Sequence, residues 1–313
     1  IEEENMEQWW EPGIYQGNVY GLPYVHVGVT LAFNKDIFDA AGVAYPPNVN
    51  DPNLSEWTWD KFVEVAEELT DPDKDQWGYA WAANWAGDAE VWEYCYVKQG
   101  GNDIVNEDGT AVGFDNPDGL KSFEYMNDFV TNNIVPDGGM NPKFQDYFLT
   151  GKAAMAPFDV YQVIGIINNN PELNIGITPY PQGPGTDLLD GRGMHANVGF
   201  LYLSEVSENP EMAFELMKFL TEKENVEDYI NAVGLFGARN DYEMKIENPE
   251  AQEIAREILE AANRYGFAYP IDPKQIEVRT IFVAEVQNMI EGTKSPEEAW
   301  QDAVSKMNEA LKE

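Results

Sequence analysis

The sequence predicts an α/β protein built from two domains, and three observations carry that prediction. A chain of 313 residues is long enough to bury a large core, and chains of this length usually split into two domains. Short apolar runs typical of strands buried on both faces alternate with amphipathic helices, which predicts mostly parallel sheets. Finally, 43% of the residues are hydrophobic and 13% are aromatic, a composition that excludes a disordered chain.

The charge balance excludes two classes of function. The chain carries 56 Asp and Glu against 19 Lys and Arg, for a formal net charge of −37. A nucleic-acid-binding protein needs a basic surface, and an anionic membrane would repel this chain. Cys95 is the only cysteine, and His26 and His195 are the only histidines. Zinc ribbons, papain-like dyads and iron–sulfur sites are therefore excluded as well.

Segments without charged residues indicate where the buried strands lie, because ionised groups resist removal from water. Five such segments interrupt this acidic chain, at 12–34, 76–87, 160–171, 173–186 and 193–204. Within the first, residues 27–33 read Val-Gly-Val-Thr-Leu-Ala-Phe, and within the last, 198–203 read Val-Gly-Phe-Leu-Tyr-Leu. Both runs predict strands that are covered on both faces.

Helix start signals stand between these segments. Thr58 precedes an amphipathic run over 59–69, and Asn-Pro pairs at 116–117 and 209–210 open two further helices. In the second of these, Met212, Ala213, Leu216, Met217 and Leu220 are expected to face inward. Residues 295–298 read Ser-Pro-Glu-Glu, which is a capping box at the start of the last helix.

Motifs that would indicate an enzyme are missing from the sequence. It contains neither the phosphate-binding pattern G-x-x-x-x-G-K-[ST] nor the nucleophile elbow G-x-S-x-G. Glycoside hydrolysis needs two carboxylates across a cleft, but adjacent acids in this chain fall on predicted helix surfaces or at a terminus. Nothing in the sequence therefore favours catalysis.

Aromatic residues give the clearest hint of a ligand. Trp77, Trp81, Trp85 and Trp92 fall within 16 residues, largely inside an uncharged segment. Tyr161 follows an Ala-Pro-Phe-Asp turn, and His195 and Asn197 open the last uncharged strand. Aromatic faces beside amides and a few acids suit sugar rings, whose C–H faces stack while their hydroxyls need fixed donors and acceptors.

Several motifs in register resemble the maltose-binding type (family 1) of extracellular solute-binding proteins. The matching segments are Gly-Asn-Val-Tyr-Gly-Leu-Pro at 17–23, Leu-Ala-Phe-Asn-Lys at 31–35, Thr-Trp-Asp-Lys-Phe at 58–62, Phe-Leu-Thr-Gly-Lys-Ala-Ala-Met at 148–155, Pro-Tyr-Pro-Gln-Gly-Pro at 179–184, the helix at 207–220 and Gly-Thr-Lys-Ser-Pro-Glu-Glu-Ala at 292–299. The resemblance covers the whole chain in order.

The resemblance implies a two-lobe periplasmic-binding-protein-like (type II) α/β fold that closes over a sugar. It places the first lobe at 1–28 and 200–250, and the second at 29–199 and 251–313. It implies a receptor that delivers a carbohydrate, with an oligosaccharide as the expected ligand, to the permease subunits of an ABC importer. Such a receptor is a monomer without catalytic activity, cofactor or metal. It is extracellular, either as a membrane-anchored lipoprotein or in the periplasm.

Candidate ligand-binding residues follow from the positions where the family motifs reach the cleft. Tyr161 matches the family's stacking ring, and Asp159 beside it is expected to bind hydroxyls. Trp85 and Asp88 fall in a second-lobe loop that commonly contacts ligand. The remaining candidates are His195 and Asn197, before the strand that returns to the first lobe, and Arg279, near the start of a late helix.

One departure from the family concerns the first lobe. The family opens with a β-α-β-α segment of about 80–110 residues, the size of a lobe portion, whereas this sequence begins where that segment would end. The first lobe is therefore expected to lack its N-terminal β-α-β segment. We expect the chain to be a fragment, or the missing part to be disordered or supplied separately.

Two alternatives from other classes stay open at this point. One is a carbohydrate-active hydrolase that uses a pair of cleft carboxylates. The other is a binding protein for a non-sugar solute, such as a polyamine or a metal chelate held by cleft acids. Sugar binding without hydrolysis distinguishes the receptor from both.

Overall fold

The computed structural model describes residues 9–81, 89–106, 108–136, 144–269 and 273–312. Its strands are β1 (Ile14–Tyr15), β2 (Asn18–Val19), β3 (Gly21–Asn34), β4 (Trp77–Tyr79), β5 (Ala153–Asp159), β6 (Ile175–Thr178), β7 (Met194–Tyr202), β8 (Phe236–Gly237) and β9 (Gly266–Phe267). Its helices are α1 (Lys35–Ala41), α2 (Trp59–Glu68), α3 (Ala89–Gln99), α4 (Pro117–Thr131), α5 (Phe144–Leu149), α6 (Val160–Asn169), α7 (Pro210–Leu220), α8 (Lys223–Val233), α9 (Pro249–Tyr265), α10 (Gln275–Ile290) and α11 (Pro296–Ala310).

Strand β3 is the centre of the sheet and is shared by two sets of neighbours. Its first half pairs with β7 and β8, whereas its second half, from Val29 onward, pairs with β5 and β6. Strand β4 extends the sheet beyond β5, and β9 extends it beyond β7. Twelve of the fourteen β3 residues are buried and the other two are partly buried, as the uncharged sequence predicts for a strand covered on both faces.

The mixed α/β class is confirmed, but the prediction of mostly parallel sheets is wrong. Strand β3 runs antiparallel to β5, β6, β7 and β8, and only the β4–β5 and β7–β9 pairs are parallel among the described strands. An apolar run reports burial of both faces, and here helices cover an antiparallel strand as completely as they would a parallel one. Whether a strand runs parallel or antiparallel depends on its neighbouring strand and cannot be read from its own apolar residues.

Helix caps form where the sequence predicts them. Thr58 caps α2 and Asn116 caps α4, where its side chain accepts from two backbone amides. Ser295 opens α11 with the predicted capping box. The inward face predicted for α7 is wrong, because Met217 is its one buried residue whereas Met212 and Leu216 are 73% and 56% exposed. The periodicity located an apolar stripe, but the described residues do not cover it.

The main core surrounds the second half of β3. It packs α2, α3 and α4 through a group of mutually contacting rings that includes Phe62, Tyr79, Tyr96, Tyr125 and Phe129. Helix α9 covers the sheet face on which Gly28 lies, where a side chain at position 28 would touch Ile258 and Ala262. Among the described helices, none is long and apolar enough to cross a membrane.

Candidate functional site

The strand register brings two of the predicted binding residues to one face of the sheet. Asp159 at the end of β5 lies opposite Val29, and Asn197 of β7 lies opposite Val27. Paired residues share a face, and so do residues two apart on a strand. Asp159 and Asn197 therefore flank β3 on the face that bears Val27 and Val29, which we call the central face. Helix α9 covers the opposite face.

Tyr161 stands directly beside this pair. Strand β5 ends at Asp159, which is the N-cap of α6, and the Gln162 side chain accepts the backbone N–H of Asp159 at 2.9 Å. This contact fixes the turn that carries Tyr161. The Tyr161 side chain is 42% exposed and its Cβ lies close to Gly234, the left-handed cap of α8. A half-exposed ring on a fixed turn can stack against the apolar face of a ligand.

His195 lies on the central face but is covered. It precedes Asn197 by two residues on β7, is only 5% exposed, and stacks on Tyr269 with ring centroids 5.0 Å apart. Its backbone N–H donates to Cys95 Sγ at 3.2 Å. Burial lowers the pKa of His195 to about 3, so the imidazole is neutral at physiological pH. The structure thus makes His195 a support for Tyr269 rather than an open contact.

A column of rings connects His195 to the helix that carries Arg279. Tyr269 lies 5.1 Å from Tyr94, and Tyr94 lies 4.8 Å from Phe282, measured between ring centroids. Phe282 and Arg279 are three residues apart on α10, so they lie on the same side of that helix. Arg279 is partly buried. Trp85 and Asp88, the other two predicted residues, lie outside the described residues.

The sequence analysis missed a cluster of buried polar groups behind this column. We define the polar cluster as Glu93, Tyr94, Tyr180 and His195, whose side chains are 1–5% exposed. Both carboxyl oxygens of Glu93, the two tyrosine hydroxyls and His195 Nδ1 have no hydrogen-bond partner among the described residues. An unsatisfied buried group costs about 1–3 kcal/mol, so the folded protein holds these atoms in place at the expense of its stability.

The direction of the pKa shifts indicates that Glu93, Tyr94 and Tyr180 lie within electrostatic reach of one another. Burial raises the pKa of Glu93 well above its usual range, because a charged carboxylate would be desolvated there. Burial first, and then the charge of Glu93, raises the pKa of Tyr94. Asp159 of the central face and Glu93 both contribute, after burial, to the raised pKa of Tyr180. One sequence signal existed, since Glu93 is a single acid between bulky side chains on α3.

Arg192 holds Tyr180 in this position. Its guanidinium is 2% exposed and donates to the carbonyl oxygens of Trp57 and Tyr180, at 3.0 and 2.9 Å, and to that of Leu54. Burial lowers the pKa of Arg192 to about 10, which leaves it charged at neutral pH. Three carbonyl dipoles thus replace a carboxylate partner and fix the segment that leads from β6 towards the polar cluster.

The site combines aromatic faces, an amide, a carboxylate and buried hydroxyls. These groups can stack on a ring and exchange hydrogen bonds with several hydroxyls at once. No group of three His, Cys, Asp or Glu residues within the described ranges is arranged to hold a metal ion. The arrangement is suited to recognition of a neutral polar molecule.

Comparison with known proteins identifies the family and the fold. The family model of bacterial extracellular solute-binding proteins matches residues 2–227. A binding protein of Brucella abortus is 24% identical over 318 residues, which cover 98% of this chain and 71% of the relative. An ABC transporter solute-binding protein of Thermotoga lettingae, solved with alpha-D-tagatose, has a TM-score of 0.78 at 21% identity and covers 99% of this chain and 76% of its own. An ABC substrate-binding protein of Listeria monocytogenes, solved with cycloalternan, has a TM-score of 0.77 at 20% identity. The match covers 100% of this chain and 76% of the Listeria chain.

Proposed function

The chain belongs to the family of bacterial extracellular solute-binding proteins, and from this premise we propose that it is a carbohydrate receptor of an ABC importer. The observation that carries the proposal is the central face, where Asp159 and Asn197, with Tyr161 next along the chain, lie near buried polar groups that have no hydrogen-bond partner among the described residues. Similarly folded proteins from Thermotoga lettingae and Listeria monocytogenes hold tagatose and cycloalternan. An oligosaccharide is the ligand we favour.

The proposed mechanism is closure of two lobes over the sugar. We assign residues 1–28 and 200–250 to the first lobe, and 29–199 and 251–313 to the second. The change of β3 partners between Gly28 and Val29 supports this boundary. A sugar that contacts both lobes binds the closed state more tightly and shifts the population towards it. The closed form is then the one that the permease subunits recognise.

Each proposed contact has a distinct role. Tyr161 stacks on a sugar ring, and Asp159 and Asn197 exchange hydrogen bonds with its hydroxyls. Arg279, Trp85 and Asp88 complete the set of ligand contacts that we propose. His195 acts indirectly, because its ring supports Tyr269. The polar cluster supplies further partners once the ligand, or water that accompanies it, reaches Tyr180.

We further propose that the protein binds its sugar without chemical change, as a monomer and without cofactor or metal. Its location would be extracellular, either anchored as a lipoprotein or free in the periplasm, in keeping with the extracellular family to which it belongs. The strong negative charge keeps such a receptor soluble and away from nucleic acid.

Titration calorimetry with mono-, di- and oligosaccharides tests the proposal, together with chromatography of the recovered sugar. We expect binding of at least one sugar and its recovery intact. Tyr161→Ala should weaken that binding by about 1–3 kcal/mol, because a stacking ring is lost. The matched control is Tyr229→Ala, since Tyr229 is also 42% exposed but packs on Tyr24. Hydrolysed sugar, or heat only from non-sugar solutes, would overturn the proposal.

A further inference from the structure

An apolar groove lies between the last residues of β7 and helix α7. Its volume is about 410 Å³, and Phe200, Tyr202 and Leu216 are among the apolar residues that line it. Along α7, Met212, Leu216 and Phe219 follow one another at helical spacing and are 73%, 56% and 54% exposed. Single exposed apolar residues are ordinary, whereas a stripe of them beside a groove indicates an interaction surface.

The same end of β7 has an open hydrogen-bonding edge. Strand β3 pairs with one side of β7 as far as Tyr202. On the other side, β9 pairs only with Met194 and His195, so within the described part of the chain no strand follows the outer edge from Val198 to Tyr202. An unpaired edge is a template for a further strand. We call this edge, together with the α7 stripe, the open face.

Charge argues against two of the partners that could cover the open face. Glu208, Glu211 and Glu215 are exposed on or just before α7, and the whole chain carries a net charge of −37. A second copy would bring the same negative charge, and an anionic membrane would repel the chain. A segment of the same polypeptide loses far less freedom on docking than a separate partner does. The charge therefore favours a covering segment that belongs to the same protein.

Relatives of this chain contain a part that could cover the open face. The match covers 98% of this chain but 71% of the Brucella abortus protein, and 99% of this chain but 76% of the Thermotoga lettingae chain. Each relative therefore has a part without a counterpart here. Trp10 indicates where such a part would connect, because it packs with Leu22, Leu201 and Met217 beside the groove. The last helix, α11, instead packs against α4 and α10.

We propose that an α/β segment that precedes Ile1 in the complete protein docks on the open face, adds a strand to the outer edge of β7 and covers the apolar stripe of α7. Recognition would combine backbone hydrogen bonds along Val198 to Tyr202 with apolar contact at Met212 and Leu216. The docked segment would complete the first lobe. The proposal rests on the division into lobes given above and not on the identity of the sugar.

Complementation in the absence of sugar tests the proposal. The chain of 313 residues is mixed with the separately produced polypeptide that the gene encodes directly upstream of Ile1, and the complex is measured by analytical ultracentrifugation. We expect a heterodimer, and we expect Leu216→Asp to weaken it at least about tenfold, because docking would bury a carboxylate. Ile276→Asp is the matched control, since Ile276 is 70% exposed on α10, away from the open face. Urea unfolding checks that both variants fold.

Amide hydrogen exchange gives a second measurement that does not need a separate segment. The chain is compared with the continuous polypeptide that includes the upstream residues. Exchange of the amides from Val198 to Tyr202 should become slower in the longer protein, because a new strand would protect the outer edge of β7. Exchange in α11 should stay the same and serves as the internal control.

Three results would overturn the proposal. The first is unchanged exchange from Val198 to Tyr202 in the longer protein, and the second is equal affinity of the segment for the wild-type chain and the Leu216→Asp variant. The third is a homodimer of the chain that Leu216→Asp dissociates and the upstream segment does not, which would assign the open face to a second copy. Neither measurement uses sugar, so a chain that takes up the segment but binds no sugar contradicts only the proposed function.

Discussion

Replacing the buried Glu93 by glutamine should stabilise the protein increasingly as the pH rises. Glu93 is 1% exposed, and its carboxyl oxygens have no hydrogen-bond partner within the described ranges. Burial raises its pKa well above the usual value, so the native state holds a proton that the unfolded chain has already released. Glutamine has nearly the same shape and carries no titratable proton.

The size of the effect follows from proton linkage. Below the ordinary glutamate pKa of about 4.3, both states of the wild-type protein are protonated and the Glu93 linkage vanishes. Above it, the stability of the wild-type protein falls by about 1.4 kcal/mol per pH unit, until the pH reaches the native pKa of Glu93. The Glu93→Gln variant escapes this loss. Its advantage in the free energy of unfolding should therefore grow with pH.

Glu285 offers a matched control of opposite sign. It is also buried, at 2% exposure, but Lys294 and Lys306 contact its two carboxyl oxygens. Burial acts to raise its pKa, yet these hydrogen bonds and charges outweigh burial and hold the pKa below the usual value. Glu285 therefore stabilises the folded state above the ordinary glutamate pKa, and this stabilisation is lost as the pH falls through the native pKa of Glu285. Glu285→Gln should cost about 2 kcal/mol near neutral pH.

Urea unfolding of the wild-type protein and both variants, from about pH 4 to about pH 8, is the measurement. Repulsion among the many acids acts on all three proteins alike, so the differences between them isolate the two sites. A Glu93→Gln advantage that stays constant with pH, or a destabilised variant at pH 8, would refute the assignment of Glu93 as a buried neutral acid.

Two further predictions concern packing and the support of the site. Gly78→Ala should destabilise the protein by several kcal/mol, about 3 or more, since a Cβ there would lie 2.0 Å from the carbonyl oxygen of Ala66. Gly165→Ala, in open space on α6, should be neutral or stabilising by up to about 1 kcal/mol in the same urea unfolding assay. Arg192→Met should lower both stability and sugar affinity, because three buried carbonyl groups lose their donor; unchanged affinity would show that Tyr180 keeps its place without Arg192.

Local signals in the sequence predicted local structure well. The caps at Asn116 and Ser295 form as predicted, because each depends on a few neighbouring residues. Strand direction and the outer face of α7 were predicted wrongly, because both depend on what packs against the element. Met212 is an example. Its spacing places it on the apolar stripe of α7, yet it is 73% exposed because no described residue covers it.

The candidate site likewise depends partly on local motifs and partly on the assembled fold. Asp159 and Asn197 were predicted from motifs as ligand contacts, and strand register places them on one face. His195 was expected to face the cleft, but Tyr269, which comes 74 positions later, covers it. Glu93 was overlooked because its one sequence signal, an acid placed between bulky side chains, is weak in a chain with 56 acidic residues. Only its burial makes it conspicuous, and burial is a property of the assembled fold.

Strand β3 also limits how this sequence can vary. Because the strand is hydrogen-bonded on both sides and to two sets of partners, adding or deleting one residue between Val25 and Phe33 would reverse the side chains of one half relative to the other. Asp159 and Asn197 would then no longer lie on the same face. The irregular step between Pro23 and Val25 already absorbs one extra residue, so length changes are tolerable on its N-terminal side. The length of the segment from Val25 to Phe33 is therefore fixed by the two sets of strands that pair with it.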